Sequence, residues 1–124
     1  IMLIEERERL SRMAHIPFRL NAKLQQVEDK YDVVIIDAPP SRDLYAQIAL
    51  IASDYLIIPS DMKPYANQGL VNVKNFIAEV NETRSAIGKD NLEILGVLPS
   101  KVLTNQKYLD YAFPRQRDNV LHRY

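Results

Sequence analysis

The chain has 124 residues, and its 16 Lys and Arg against 16 Asp and Glu leave no bulk charge to attract nucleic acid or a membrane surface. There is no cysteine, which excludes disulfides and thiolate metal sites. The length fits one domain at most, with a modest core.

No apolar run is long enough to span a bilayer and no signal-peptide pattern opens the chain, so a cytoplasmic protein without membrane contact is expected. His15 and His122 stand alone, without partners at ligand spacing. From Lys101 onward five basic residues face two acidic ones, a weakly basic tail that reads as a solvated surface. The chain opens on Ile-Met-Leu and stops inside a helix-like "VLHRY"; both ends are expected to be cut from something longer.

In chain order, residues 2–14 read as a charged surface helix. Pro17 suits the first turn of a second helix, with Leu20, Leu24 and Val27 as its apolar stripe. Val33 to Ile36 are a continuous apolar run, the pattern of a first strand covered on both faces. A helix is predicted from near Asp43, with Leu44, Ile48 and Ile51 on one side. "YLIIPS" (55–60) predicts a second buried strand, limited by Pro59. A long amphipathic helix follows on Ala66, Leu70, Val73, Ile77 and Val80, closed by Gly88. "LEILGVLPS" (92–100) predicts a third strand. Pro114 would break a helix running through 105–124, so the last helix is started there, with Val120 and Leu121 inward.

Helices alternating with strands imply parallel strands joined by crossovers: an α/β, doubly wound parallel sheet with helices on both faces. Ligands in such sheets sit at the carboxyl ends of the strands, where "DAPPS", "PSDMKP" and "PSKVLT" fall here. Asp37 is the residue to explain. A carboxylate at a strand end can hold Mg²⁺, usually through water. It equally suits a plain turn or helix cap. Pro39 and Pro40 fix their own φ angles and stiffen the loop that follows.

"YDVVIIDAPPS" resembles the Walker B and switch II segment of the ParA/Soj-type partitioning ATPases, with Asp37, Pro39, Pro40 and Ser41 on the family's Asp-x-Pro-Pro-Ser positions. "LIASDYLIIPSDMKPYANQGL" is similar to the family's next helix, Ile-Pro strand and Ala-x-x-Gly-Leu helix start, through Ile58, Pro59, Ala66, Gly69 and Leu70. "ILGVLPSKVLTNQ" resembles its strand and loop near the nucleotide base. The likeness runs from Tyr31 to about Thr104.

The resemblance implies ATP and Mg²⁺ as cofactors of the complete protein, with Asp37 holding Mg²⁺ through water. It implies that Ala38, Pro39, Pro40 and Ser41 sense the γ-phosphate, and that Pro99, Ser100 and Lys101 lie near the base. It also implies a homodimer that binds DNA without sequence preference, works with a ParB-like partner and associates with the nucleoid.

The family's phosphate loop has no counterpart here. Glycine occurs only at 69, 88 and 96, never in a Gly-Lys-Ser/Thr arrangement, and the family's early-strand aspartate is missing too. The chain is therefore expected to be one partial P-loop-NTPase-like domain, 1–124, without its N-terminal P-loop strand and C-terminal strands. No catalytic residue is expected within it, and alone it should not hydrolyse ATP. In the relatives the P-loop strand lies between the strand bearing Asp-x-Pro-Pro and the one ending in Ile-Pro, so a gap is expected beside residues 33–37. Rival readings are a non-catalytic interaction module on the same fold, a MinD-like ATPase, or a bacterial tyrosine-kinase-like domain.

Ser41 is read as the cap of the helix near Asp43. Asp61 and Lys63 are read as solvated charges, and Arg115, Arg117 and Arg123 as an exposed helix face.

Overall fold

The structure, a computed structural model, describes residues 2–121. Helix α1 (Met2–His15) leads through a 3₁₀ turn (Ile16–Phe18) into α2 (Arg19–Gln25), and a second 3₁₀ turn follows at Glu28–Lys30. Then come α3 (Leu44–Ala52), β1 (Tyr55–Ser60), α4 (Pro64–Ala86) and β2 (Glu93–Pro99). A π-helical turn (Tyr108–Ala112) runs into α5 (Phe113–Leu121). The chain divides into two compact units, residues 1–54 with 80–92, and residues 55–79 with 93–124.

In the first unit, Pro17 sits in the opening turn as its fixed φ favours, and Leu20, Leu24 and Val27 are half-buried. Helix α3 packs on α2 and on the 3₁₀ turn before it. Its buried residues are Ala46, Ala49, Leu50, Ile51 and Ala52. The predicted stripe of Leu44, Ile48 and Ile51 is corrected: Leu44, in the first turn, is 42% exposed and Ile48 only half-buried. Small alanines at i, i+3 let the neighbouring turn approach that face instead.

The larger correction concerns Val33 to Ile36. Residues 33–39 form neither helix nor paired strand, and Val33, Val34 and Ile35 are 76%, 52% and 90% exposed. A β-branched run favours a pleated, covered surface, but backbone groups become a strand only against a ladder partner. Among the described residues the sheet has two strands, in the order β1–β2. None pairs with this segment.

In the second unit β1 and β2 pair in parallel, from Tyr55 against Glu93 to Ser60 against Pro99. Parallel neighbours require a crossover, and α4 supplies it. The register slips between Leu56 and Ile57: Leu56 faces Ile94, Ile57 faces Gly96, and Leu95 is left over at 57% exposed. Gly96 takes φ +154 at that bulge. Ile58, Met62 and Val120 form the core of the unit, packed by Leu56, Val73, Ile94, Val97 and Phe113.

Ile77 and Val80 of α4 are buried and Val73 half-buried, as the stripe predicts; the side chains of Ala66 and Leu70 lie outside the described residues. Gly88, at φ +75, donates its N–H to the Ser85 carbonyl (3.1 Å) and Lys89 N–H to that of Arg84 (3.0 Å), so the glycine closes α4 as expected.

Pro114 does not break the last helix. The turn before it widens to π geometry, which suits a ring with no N–H to donate. Val120 is buried at 4%, but Leu121 is 66% exposed, correcting its inward assignment.

Candidate functional site

Asp37, Ala38, Pro39, Pro40 and Ser41 form an exposed loop between the unpaired apolar run and α3. The α3 end of that loop is fixed. Asp43 Oδ1 accepts from the N–H groups of Tyr45 (3.0 Å) and Ala46 (3.1 Å), satisfying two donors of the first turn. A hydrogen bond from the Ser41 side chain, then one from the Ala46 backbone, holds the Asp43 carboxyl below its usual range. The expected cap is thus corrected: Asp43 caps α3, and Ser41 supports it.

The far end of α3 is held by Arg84, which is 2% exposed. Its Nη1 donates to the carbonyls of Leu50 (3.0 Å) and Ile51 (2.9 Å) and also to that of Ser53, while Nε donates to Asp90 O (2.8 Å). Burial pushes the guanidinium below its ordinary value, partly offset by the charges of Asp54 and Asp90. Sequence reasoning missed this residue. The signal was its spacing, since Arg84 continues the buried stripe of Ile77 and Val80 by one more turn.

In the second unit the carboxyl ends of both strands meet. Pro99 faces Ser60 in register, and Ser100 N–H donates to Ser60 O at 2.8 Å. Ser60 is buried and its Oγ accepts from Met62 N–H (3.1 Å), turning the chain so that Met62, at φ +63, enters the core. Asp61 Oδ1 accepts from Lys63 N–H (3.1 Å); Asp61 is half-buried rather than fully solvated, and Lys63 is exposed.

Lys101 is exposed and held at φ +53, where a side chain is strained. Pro99, Ser100 and Lys101 thus share one strand end with the 60–63 turn. Asp37 belongs to the other unit.

Arg115 is exposed, Arg117 is engaged by its neighbour Asp118 (3.2 Å), and Arg123 lies outside the described residues, as does His122. An open apolar groove of ≈ 530 Å³, floored by Ile16, Leu20 and Ile48 and rimmed by Arg19 and Lys23, includes none of the predicted site residues. Among the described residues no three His, Cys, Asp or Glu side chains gather to hold a metal. Asp37 is a single exposed carboxylate. It fits a hydrated Mg²⁺ shared with a nucleotide phosphate and does not fit an ion held by protein alone.

A parallel strand pair, its helical crossover and strand-end loops after an Asp-Ala-Pro-Pro-Ser segment define an incomplete α/β layer of the P-loop NTPase kind. The family model AAA_31, an AAA domain, matches residues 1–94, and the chain belongs to that family; its relatives make it a member of the ParA type. It is similar to the virulence plasmid ParA family protein pGP5-D of Chlamydia psittaci, 40% identical over 95 residues, which cover 73% of this chain and 34% of that protein. The sporulation initiation inhibitor protein Soj of Bacillus subtilis is 41% identical over 64 residues (52% of this chain, 25% of Soj). The maintenance of carboxysome distribution protein A of Synechococcus elongatus is 31% identical over 80 residues (64% and 30%). The chain thus spans between a quarter and about a third of the length of these relatives. No solved structure matches it.

Proposed function

We propose that this chain is the Walker B and switch II part of a ParA-type partitioning ATPase, a partial P-loop domain that works together with a phosphate-binding loop from outside these residues. The reading rests on one observation above all. The exposed Asp37–Ser41 loop follows a strand-like run that has no ladder partner among the described residues, and is mounted on a helix fixed at both ends. A loop held that way keeps its place while its tip responds to a ligand.

In this reading Asp37 orients a hydrated Mg²⁺, and Ala38, Pro39, Pro40 and Ser41 respond to the γ-phosphate. Mg²⁺ bound there would supply charge neutralisation for the phosphates. Pro99, Ser100 and Lys101 border the base. ATP would drive homodimerisation, nonspecific DNA binding through basic side chains, and response to a ParB-like partner, in the cytoplasm and on the nucleoid. Relatives named for a virulence plasmid, sporulation and carboxysome distribution support a positioning role in which the cargo differs from protein to protein.

The test is Mg²⁺-dependent ATP turnover by the longest protein its gene encodes, compared with its Asp37→Asn variant. Turnover that falls at least about tenfold in the variant supports the reading; turnover unchanged by the substitution sinks it. The second reading, a non-catalytic interaction module, is favoured by the absence of any Gly-Lys-Ser/Thr arrangement in the sequence. A phosphate-loop segment encoded upstream of Ile1 would remove it.

A further inference from the structure

Helix α3 has a smooth buried face. Ala46, Ala49 and Ala52, spaced i, i+3 and i+6, are three of its five buried residues. Methyl groups interlock weakly with a neighbouring element, so such a face resists sliding along the helix axis less than a row of large side chains does.

Polar contacts fix the axial position instead. Ser53, in extended conformation, donates from its N–H (3.1 Å) and its Oγ (2.8 Å) to Ala49 O. Arg84 takes the next carbonyls, Leu50 O at 3.0 Å and Ile51 O at 2.9 Å, and that of Ser53. These acceptors lie 31 to 34 residues before it in the chain, so the tie is tertiary and not a local cap. Through Nε the same planar group donates to Asp90 O at 2.8 Å, which references the end of α3 to the Asp90 loop. An aliphatic side chain would continue the Ile77 and Val80 stripe without the cost of desolvating a charge. It could not set a direction, because apolar contact is non-directional and hydrogen bonds are not.

The first turn of α3 is continuous with the Asp37–Ser41 loop. Asp43 caps that turn, and the Ser41 side chain bonds to Asp43. The nine residues of α3 span about 13 Å, so a shift at one end of this short hydrogen-bonded rod reappears at the other.

We propose that Arg84 is a positioning residue for the Asp37–Ser41 loop, acting through α3; the role rests on the ATPase reading above. Arg84 sets where along the helix axis the loop stands when Mg²⁺ and the γ-phosphate reach it. A misplacement of about 1 Å is enough to cost a rate on the order of a hundredfold.

Arg84→Lys isolates the geometry. It keeps a positive charge at the C-terminal end of α3, where the helix dipole favours one, but an ammonium is a single point and cannot hold α3 and Asp90 O together. Val80→Ala is the control. Val80 lies one turn earlier on α4, is 0% exposed and cannot hydrogen-bond through its side chain, so its truncation costs stability and leaves the tie intact.

Mg²⁺-dependent ATP turnover is measured on the longest protein its gene encodes and on both variants, and expressed per folded molecule from the unfolding curve of each. Arg84→Lys should lower kcat at least about tenfold and change KM by less than about threefold. The split is expected because the ground-state grip on ATP comes, in this reading, from the phosphate loop and the 99–101 loop. Val80→Ala should keep the parent's kcat per folded molecule, since a role confined to stability moves only the folded fraction.

An Arg84→Lys kcat equal to the parent's, an equal fall in Val80→Ala, or a loss carried entirely by KM would each overturn the proposal. A parent protein without Asp37-dependent turnover sinks the ATPase reading and the role of Arg84 with it. A parent with that turnover, whose Arg84→Lys variant keeps its kcat, sinks the role of Arg84 alone.

Discussion

Arg84 reaches back from α4 and donates from Nη1 to the carbonyl of Ile51 at 2.9 Å, inside the last turn of α3. With the bonds to Leu50 and Ser53, one guanidinium satisfies carbonyls that the end of α3 leaves without intrahelical donors, and its Nε holds the loop carbonyl of Asp90. Its stem and charge are both buried, and the fork geometry of arginine is what allows several acceptors at once.

Arg84→Ala should therefore lower stability by about 2–4 kcal/mol, since it strands buried acceptors as well as removing charge-assisted bonds. Arg84→Lys should recover only part, because an ammonium cannot reproduce the fork. Denaturant unfolding of both variants checks this; equal stability of Arg84→Lys and the parent chain would contradict it.

The cap at the other end of α3 makes a pH prediction. The Asp43 carboxyl is held low in the folded state, by Ser41 first and then by the Ala46 N–H. A depressed carboxyl contributes stability above its unfolded value of about 3.9 and loses it as pH falls through the folded value. Asp43→Ala should thus be less stable than the parent chain at neutral pH, and the two should converge as pH falls below about 4. Thermal melts across pH 3–7 read this directly. A gap that persists unchanged at the acid end would contradict it.

Met62 combines positive φ with burial, at φ +63 and 2% exposed. Met62→Ala keeps the strain and opens a cavity beside Ile58 and Val120, at a cost of about 2–5 kcal/mol. Lys101, also strained at φ +53 but exposed, behaves in the opposite way. Lys101→Gly should leave stability unchanged or raise it by up to about 1 kcal/mol. If the side chain serves the nucleotide, the same substitution should weaken nucleotide binding by the complete protein. Paired unfolding and binding curves separate the two effects.

Lys89 offers a contrast to Arg84. It donates to Asn21 Oδ1 at 2.9 Å and lies 3.8 Å from Asp54, whose side chain is 76% exposed. Burial first, then the nearby Arg84 charge, lowers its proton affinity, and the charges of Asp54 and Glu28 partly offset this. Lys89→Met should change stability by less than about 1 kcal/mol. A larger loss in urea unfolding would mean that the ion pair matters more than its exposure allows.

The elements that were legible in the sequence are those whose partners lie within it. "YLIIPS" and "LEILGVLPS" form a parallel pair because both strands and their crossover are present, and Gly88 closes α4 where only a left-handed residue fits. Val33 to Ile36 carry an equally strong strand pattern, but a ladder needs a neighbour, and none of the described residues supplies it.

The anchoring of the site was harder to read. Arg84 looks like a solvated charge in "NETRSAIG" until its place on the Ile77–Val80 stripe is noticed. Met62 shows no sign of positive φ in its own residue type; the Ser60 hydroxyl two residues earlier fixes its turn, and a serine before a turn is too common to single out. Leu121 follows Val120 directly, and one residue along a helix is a rotation of about 100°, so only one of the two can face the core squarely.

The most direct measurement of the central claim is calorimetric titration of ATP, with and without Mg²⁺, into the longest protein its gene encodes, its Asp37→Asn variant, and the 124-residue chain. The account predicts Mg²⁺-strengthened binding by the longest protein, a loss of at least about tenfold in that strengthening in the variant, and no saturable binding by the 124-residue chain. Saturable binding by the short chain, or an Mg²⁺ effect indifferent to Asp37→Asn, would contradict it.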